Sequence, residues 1–167
     1  MKKGLIYALV VILLDQITKT AAVVYFTAHP GTIRVTPFFN LVLAWNKGVS
    51  FSMLHTDNAL MPWVLVGVSL LISAVIVHWM FMEKDPKTIN GFGLILGGAL
   101  GNVIDRLHYR AVVDFLDFHV GGWHWPAFNV ADSAICIGAA IILILNVFMV
   151  RPEKAAPEKE EKNDGTA

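Results

Sequence analysis

Four long apolar segments restrict this chain to a helical bundle in a membrane. They are residues 5–24, 61–82, 89–104 and 130–150. A helix needs about 20 apolar residues to cross about 30 Å of hydrocarbon, and only the third segment is clearly short of that length. Because hydrocarbon offers no water to the backbone, segments this apolar must be helical. We therefore predict an all-α membrane protein with four transmembrane helices, the third buried at its ends by its neighbours.

The composition agrees with this fold class. Hydrophobic residues make up 56% of the 167 residues and charged residues only 16%, which is too apolar for a typical soluble domain. The formal net charge is zero, so no basic field indicates nucleic acid as a partner. The single cysteine, Cys136, excludes an intramolecular disulfide and a multi-cysteine metal site. We expect Cys136 to pack within the last apolar segment.

The third apolar segment carries a repeat of small residues. Gly93, Gly97 and Gly101 recur every four residues, and Gly98 lies beside them. Glycines at this spacing share one helix face and let neighbouring helices approach closely. We predict that this face packs in the bundle, and not that it forms a phosphate loop.

Positive charges predict the orientation of the helices. They precede the first segment, link the second to the third, and follow the fourth: Lys2, Lys3, Lys84, Lys87, Arg151 and Lys154. Positively charged short segments remain cytoplasmic, so both termini should be cytoplasmic and the loops 25–60 and 105–129 should face outward. The mixed-charge residues 151–167 predict a disordered cytoplasmic tail, which leaves residues 1–150 as a single membrane-embedded domain.

The first segment could instead be a cleaved signal peptide, since Lys2 and Lys3 precede it. Its length, and the charges of Asp15 and Lys19 within it, favour a retained helix.

The outer loops predict a small extracytoplasmic β region and an interfacial belt. The stretch TIRVTPFFNLVLAWNKGVSFSML, residues 32–54, alternates β-forming residues and so favours short strands. Phe118, Trp123, Trp125 and Phe128 have the amphipathic character of an aromatic belt at the headgroup level, and they could also hold a lipid chain.

Three carboxylates lie in or beside the second outer loop. Asp132 falls in the first turn of the last helix, and Asp114 belongs to the loop before it, so both lie at the outer boundary and could meet. Asn129 and Asp132 also have the spacing of a capping box, in which Asp132 is purely structural. Asp114 and Asp117 could equally be solvated loop acids, and on a strand their odd spacing would let only one face a shared site.

The functional alternative is a carboxylate dyad. Two adjacent aspartates share one proton, because both cannot ionise cheaply. The ionised acid can take a proton from water while the protonated acid donates to an amide carbonyl. The helix N-terminus favours charge on Asp132, although a coupled pair titrates as a unit. Such chemistry needs no metal or other cofactor.

A metal site is the competing hypothesis for the same loop. His119 and His124 lie close to the acids in sequence, and His with Asp can bind zinc. Their spacing matches no common zinc motif, and a zincin HExxH is absent. We predict no metal.

Five short motifs resemble those of the lipoprotein signal peptidase (signal peptidase II) family, bacterial membrane aspartic proteases. In order they are DQITK at 15–19, NKGVSFS at 46–52, GNVIDR at 101–106, VVDF at 112–115 and FNVADS at 128–133. The resemblance covers about residues 5–150. One departure is Arg110, where relatives often have glycine, and this bears on how tightly the chain turns before VVDF.

The resemblance implies removal of the signal peptide from prolipoproteins, on the amino side of a diacylglyceryl-modified cysteine in a bacterial cytoplasmic membrane. It implies Asp114 and Asp132 as the catalytic pair. It also implies lateral substrate entry and binding of the cyclic peptide globomycin in the substrate groove. The supporting polar residues that it implies are Asp15, Asn46, Asn102, Asp105, Arg106 and Asn129.

The supporting residues also have structural interpretations. Asp15 and Lys19 could form an i,i+4 ion pair within the first helix. Asp105 and Arg106 could anchor the end of the third helix at the interface. Asn46 could make a turn before Gly48.

A rival function is a non-enzymatic membrane carrier or assembly subunit whose acids relay protons. Intramembrane Asp15 is typical of such a carrier. However, Asp114 and Asp132 are expected at one face of the membrane, not along a path across it.

Overall fold

Each of the four predicted apolar segments is helical over the residues that the structure describes. The computed structural model describes residues 1–48 and 60–148, so the expected disordered tail at 151–167 and the last part of the NKGVSFS motif lie outside the described residues. The helices are α1 (Lys2–Ala28), α2 (Met61–Met82), α3 (Pro86–Tyr109) and α4 (Val130–Phe148). Both α1 and α3 extend beyond the apolar segments that predicted them, because apolarity marks contact with hydrocarbon and not the ends of a helix.

Three of these helices, α1, α2 and α4, are long and apolar enough to cross a membrane. Many of their large apolar side chains are exposed on the surface of the helical bundle. Ile17, Leu71 and Leu143 are 64%, 67% and 64% exposed, which suits lipid and not water. The chain is a mostly helical membrane protein with a small antiparallel sheet.

Helix α3 differs because it is glycine-rich and central. It packs against α1, α2 and α4. A Cβ on Gly97 would lie 2.6 Å from the backbone oxygen of Ala8 in α1, and a Cβ on Gly98 would overlap the backbone oxygen of Ala131 in α4. The predicted packing role of the glycine repeat is therefore confirmed, since any side chain there would force the helices apart.

The outer loops form one four-stranded antiparallel sheet in chain order. Its strands are β1 (Ile33–Thr36), β2 (Phe39–Asn46), β3 (Val112–Val120) and β4 (Trp123–His124). The strands predicted within residues 32–54 are found as β1 and β2, and β3 pairs with β2 although it lies beyond two helices in the sequence. The β2–β3 register shifts between Leu41 and Ala44, just before the position opposite Asp114.

Arg110 ends α3 in the left-handed conformation, with φ 61° and ψ 15°, and its N–H donates to the carbonyl of Arg106 at 3.1 Å. Glycine is the residue that usually takes this position. The turn forms with arginine nonetheless, and the guanidinium lies 4.8 Å from the ring centre of Trp63. The departure from the family pattern therefore leaves a tight turn before β3.

The expectation for Cys136 is wrong. Cys136 is exposed on the surface of α4, because the outer face of an apolar membrane helix contacts lipid instead of other protein.

Candidate active site

Asp114 lies on β3 beneath two amide donors. It is only 2% exposed. Asn129 Nδ2 donates to its Oδ1 at 2.7 Å, and Asn46 Nδ2 donates to its Oδ2 at 3.0 Å. The pKa of Asp114 is raised to about 6. Burial is the largest cause, the hydrogen bond from Asn46 lowers the pKa, and the charge of Asp132 raises it. The carboxyl group therefore keeps its proton at mildly acidic pH, where an ordinary aspartate is ionised.

Asp132 lies in the first turn of α4 and caps it. Asn129 Oδ1 accepts from the backbone N–H of Asp132 at 2.9 Å, and Asp132 Oδ2 accepts from the backbone N–H of Asn129 at 3.3 Å. The predicted capping box is confirmed. The other oxygen of Asp132, Oδ1, accepts a hydrogen bond from Asn102 Nδ2 of helix α3 at 2.8 Å.

Asn129 connects the two carboxylates. It is fully buried, and it bonds to Asp114 through its side-chain amide and to Asp132 through its backbone N–H. Each of the four carboxylate oxygens therefore accepts one amide hydrogen bond. Asp132 can therefore cap α4 and also lie beside Asp114, so its two predicted roles are compatible in one geometry.

A buried charge network supports the dyad from below. Lys19 Nζ lies 2.8 Å from Asp15 Oδ2 and 2.9 Å from Asp105 Oδ2. It also donates to Asn102 Oδ1 at 2.8 Å, which fixes the Asn102 amide with its NH₂ toward Asp132. The expected i,i+4 pair of Asp15 and Lys19 exists, but the lysine serves two acids and not one.

The same acids hold the backbone on either side of the dyad. Asp105 Oδ2 accepts from the backbone N–H of Val113 at 3.0 Å, directly before Asp114. Asp15 Oδ1 accepts from the backbone N–H of Ala131 at 2.9 Å, directly before Asp132. Asp15 and Asp105 therefore hold the backbone beside the two catalytic candidates, Asp15 next to Asp132 and Asp105 next to Asp114.

Two polar residues of this network are not among the residues predicted for the site. The sequence indicates Lys19 only as the ion-pair partner of Asp15, and it indicates no role for Gln16. Gln16 Nε2 donates to Asp105 Oδ1 at 2.9 Å and to the carbonyl of Gly101 at 3.2 Å. Both belong to the DQITK motif, so a helical projection of that motif toward α3 could have found them.

Asn46 and Arg106 lie beside the two acids. Asn46 both donates to Asp114 and accepts from the N–H of Gly48 at 2.8 Å, so the proposed turn and the proposed site role coexist. Arg106 is half-buried, and Nη1 donates to the carbonyl of Asn102 at 3.4 Å. Within the described residues its Nε has no hydrogen-bond partner.

Asp117 belongs to a separate cluster. Three residues along β3 from Asp114, it accepts from Asn40 Nδ2 at 2.9 Å and lies 2.8 Å from His124 Nδ1. Burial opposes ionisation, but the hydrogen bonds from Asn40 and His124 hold the pKa of Asp117 below its usual range. Only Asp114 of this pair contacts the residues around Asp132, as the odd strand spacing predicts.

His119 and His124 lie side by side, and of the acids His124 contacts Asp117. Their rings stack with centroids 4.9 Å apart. Among residues 1–48 and 60–148, no three His, Cys, Asp or Glu side chains come together in a way that could hold a metal ion.

The chain resembles known proteins along nearly its whole length. The family described as Signal peptidase (SPase) II matches residues 7–149. The lipoprotein signal peptidase of Paraburkholderia phymatum is 46% identical over 145 residues, covering 86% of this chain and 87% of that protein. The lipoprotein signal peptidase of Ralstonia nicotianae is 49% identical over 142 residues, covering 84% and 81%.

Solved structures share the fold. Two described as bacterial membrane enzymes superpose with TM-scores of 0.74 and 0.71, at 27% and 26% identity. They cover 95% and 92% of this chain, and 96% of their own chains.

Proposed function

The chain belongs to the signal peptidase II family, and from that premise we propose that Asp114 and Asp132 are its catalytic pair. The protein is a lipoprotein signal peptidase of a bacterial inner membrane, a membrane aspartic protease that removes signal peptides from prolipoproteins. The observation that supports the assignment is Asn129, whose hydrogen bonds reach both carboxylates.

The proposed chemistry divides two proton transfers between the acids. The ionised carboxylate takes a proton from water, and the resulting hydroxide attacks the carbonyl carbon of the scissile amide. The protonated acid donates to the carbonyl oxygen, giving a neutral tetrahedral intermediate. The C–N bond then breaks as one acid donates its proton to the leaving nitrogen and the other takes a proton from a hydroxyl of the intermediate, so that the pair is again singly protonated. The pKa of Asp114, raised to about 6, supports its holding the shared proton.

The supporting residues have distinct proposed roles. Asn102 and Asn129 orient the carboxylates, while Asp15 and Asp105 anchor the backbone beside them. In this proposal Asn46 and Arg106 contact the substrate backbone. Asn46 bonds directly to Asp114, and the buried Nε of Arg106 has no hydrogen-bond partner within the described residues.

We place the catalytic unit in residues 1–150, with four membrane-crossing helices, both termini cytoplasmic and the dyad facing outward. The 24 residues of α3 span about 36 Å at 1.5 Å per residue, enough to cross hydrocarbon. Its low apolarity is compatible with crossing because α1, α2 and α4 surround it. The positive charges at the opposite end of the bundle support this orientation.

The substrate in this proposal is a prolipoprotein whose cysteine carries a diacylglyceryl group, cut on the amino side of that cysteine. The lipid remains in the bilayer, so the substrate enters laterally between lipid-facing helices. The cyclic peptide globomycin is expected to occupy the groove that binds this substrate.

The test is cleavage by the purified, reconstituted protein of a matched pair of precursors, one diacylglyceryl-modified and one unlipidated. Mass spectrometry should show a new N-terminal lipidated cysteine from the first and little product from the second. Equal cleavage of both, or cleavage at another bond, would contradict the proposed substrate.

A further inference from the structure

A polar row crosses the outer sheet on the side away from the catalytic pair. Arg34 on β1 lies directly opposite Asn40 on β2, and Asn40 lies directly opposite Asp117 on β3. Directly opposite residues project their side chains to the same face of a sheet. All three line a cavity of about 720 Å³, together with His119 and His124. Asp114 projects to the other face, so this cavity is separate from the dyad.

The floor of the cavity contains an unsatisfied acceptor. Asn40 is 5% exposed, and its Nδ2 donates to Asp117 Oδ2 at 2.9 Å. Its Oδ1 is buried and has no hydrogen-bond partner within residues 1–48 and 60–148. A buried acceptor without a partner costs about 1–3 kcal/mol, so the site favours a ligand that brings a hydrogen-bond donor.

The cavity also separates two charges. The Asp117 carboxylate remains ionised, because hydrogen bonds from Asn40 and His124 outweigh its burial and lower its pKa. Arg34 is exposed, and within the part of the chain that the structure describes no carboxylate lies within ion-pair distance of its guanidinium. A ligand that matches both ends carries a cationic donor and an anion a few ångströms apart.

The surroundings indicate where such a ligand comes from. His119 also lines an apolar groove of about 310 Å³ formed with Phe38, Phe118, Val120, Trp123 and Trp125. Val120 and Trp123 in this groove are 74% and 62% exposed. Exposed aromatic side chains beside the ends of membrane helices are typical of the headgroup layer, where the abundant molecules with paired charges are phospholipids.

We propose that this cavity binds the phosphoethanolamine headgroup of a membrane phospholipid. The ammonium group donates to the Asp117 carboxylate and to Asn40 Oδ1, and the phosphate lies against the Arg34 guanidinium. A choline headgroup, whose nitrogen has no N–H, cannot supply the donor that Asn40 Oδ1 requires.

The test offers the purified, delipidated full chain an equimolar mixture of dioleoyl phosphatidylethanolamine, phosphatidylcholine and phosphatidylglycerol, and measures the retained lipids by native mass spectrometry. Phosphatidylethanolamine should be retained preferentially. Arg34→Gln and Asp117→Asn should each lower its retention about tenfold, the effect of losing one charge-assisted hydrogen bond.

Two control variants separate this site from other effects. Lys87→Gln removes a charge at the opposite end of the bundle, and Asp114→Asn removes a proposed catalytic acid; both should retain phosphatidylethanolamine as the wild type does. Cleavage activity of Arg34→Gln in detergent confirms that the variant is folded. Equal retention of the ethanolamine and choline lipids, a preference for phosphatidylglycerol, or unchanged retention by both site variants would overturn the proposal, whatever the outcome for the dyad.

Discussion

Asn129 Nδ2 lies 2.7 Å from Asp114 Oδ1, although Asn129 directly precedes helix α4 and Asp114 lies on strand β3. Because the backbone of Asn129 also bonds to Asp132, this contact fixes the separation of the two carboxylates. A helix cap thereby becomes part of a catalytic arrangement, and the following predictions test that arrangement.

Asp114→Asn and Asp132→Asn should each abolish precursor processing, because neither variant retains a pair that can both accept and donate a proton. Asp117→Asn has the same change in size and charge on the same strand, and it should keep most activity, since Asp117 bonds to Asn40 and His124 instead. Processing is measured with lipidated precursor at equal membrane levels of each variant. An inactive Asp117→Asn with an active Asp114→Asn would reverse the assignment.

Asn129→Ser and Asn129→Ala should separate capping from catalysis. Serine can still cap α4, whereas alanine cannot, so the alanine variant should lose about 1 kcal/mol more of unfolding free energy. Both variants lose the amide that bonds to Asp114, and both should process precursor far more slowly than the wild type. Thermal unfolding in detergent and initial cleavage rates give the two readouts. A serine variant with full activity would show that the Asn129–Asp114 contact is dispensable.

Cleavage should slow as the pH rises above about 6, because the pair then loses the proton held on Asp114. Asn46→Leu removes a hydrogen bond that lowers the pKa of Asp114, so the alkaline limb of the rate profile should move to higher pH. Asn146→Leu is a matched change in α4, at an amide that donates to the carbonyl of Ile142, and it should leave the limb in place. A limb that moves to lower pH in Asn46→Leu would contradict the proposed electrostatics.

Asp114→Asn should be more stable than the wild type at high pH. The folded-state pKa of Asp114 is raised from 3.8 to about 6, so its contribution to stability is complete below pH 3.8 and is lost as the pH rises to about 6. Asparagine does not ionise. The stability gained by the variant should therefore be small at pH 4 and level off above about pH 6. Unfolding midpoints measured across this range check the trend, and a constant difference would refute it.

Lys19→Met should destabilise the bundle by about 3–5 kcal/mol, because it leaves two buried carboxylates without their cation. Lys2→Met, at the exposed start of the same helix, should have little effect. Adding Asp105→Asn to Lys19→Met should restore part of the lost stability, which denaturant unfolding in detergent can measure. If the single variant is as stable as the wild type, the ion network contributes nothing to the fold.

Local patterns determined much of this structure from the sequence. Apolar length predicted all four helices, glycine spacing predicted the packing face of α3, and the spacing of Asn129 and Asp132 predicted the cap. These features depend on residues within a few turns of one another. The family motifs extended the prediction to Asp114. Strand alternation alone shows only that Asp114 and Asp117 project to opposite faces, and not which of them belongs to the site.

The tertiary structure decided which distant polar groups meet. Lys19 contacts Asn102 and Asp105, which lie 83 and 86 residues later in the sequence. The spacing of residues within one helix cannot predict a contact of this kind. The β2–β3 register, with its shift beside Asp114, likewise brings Asn46 to that carboxylate only after the helices have packed. The physical reason is that a buried charge must find its partner across helix interfaces, and only the packed bundle sets those distances.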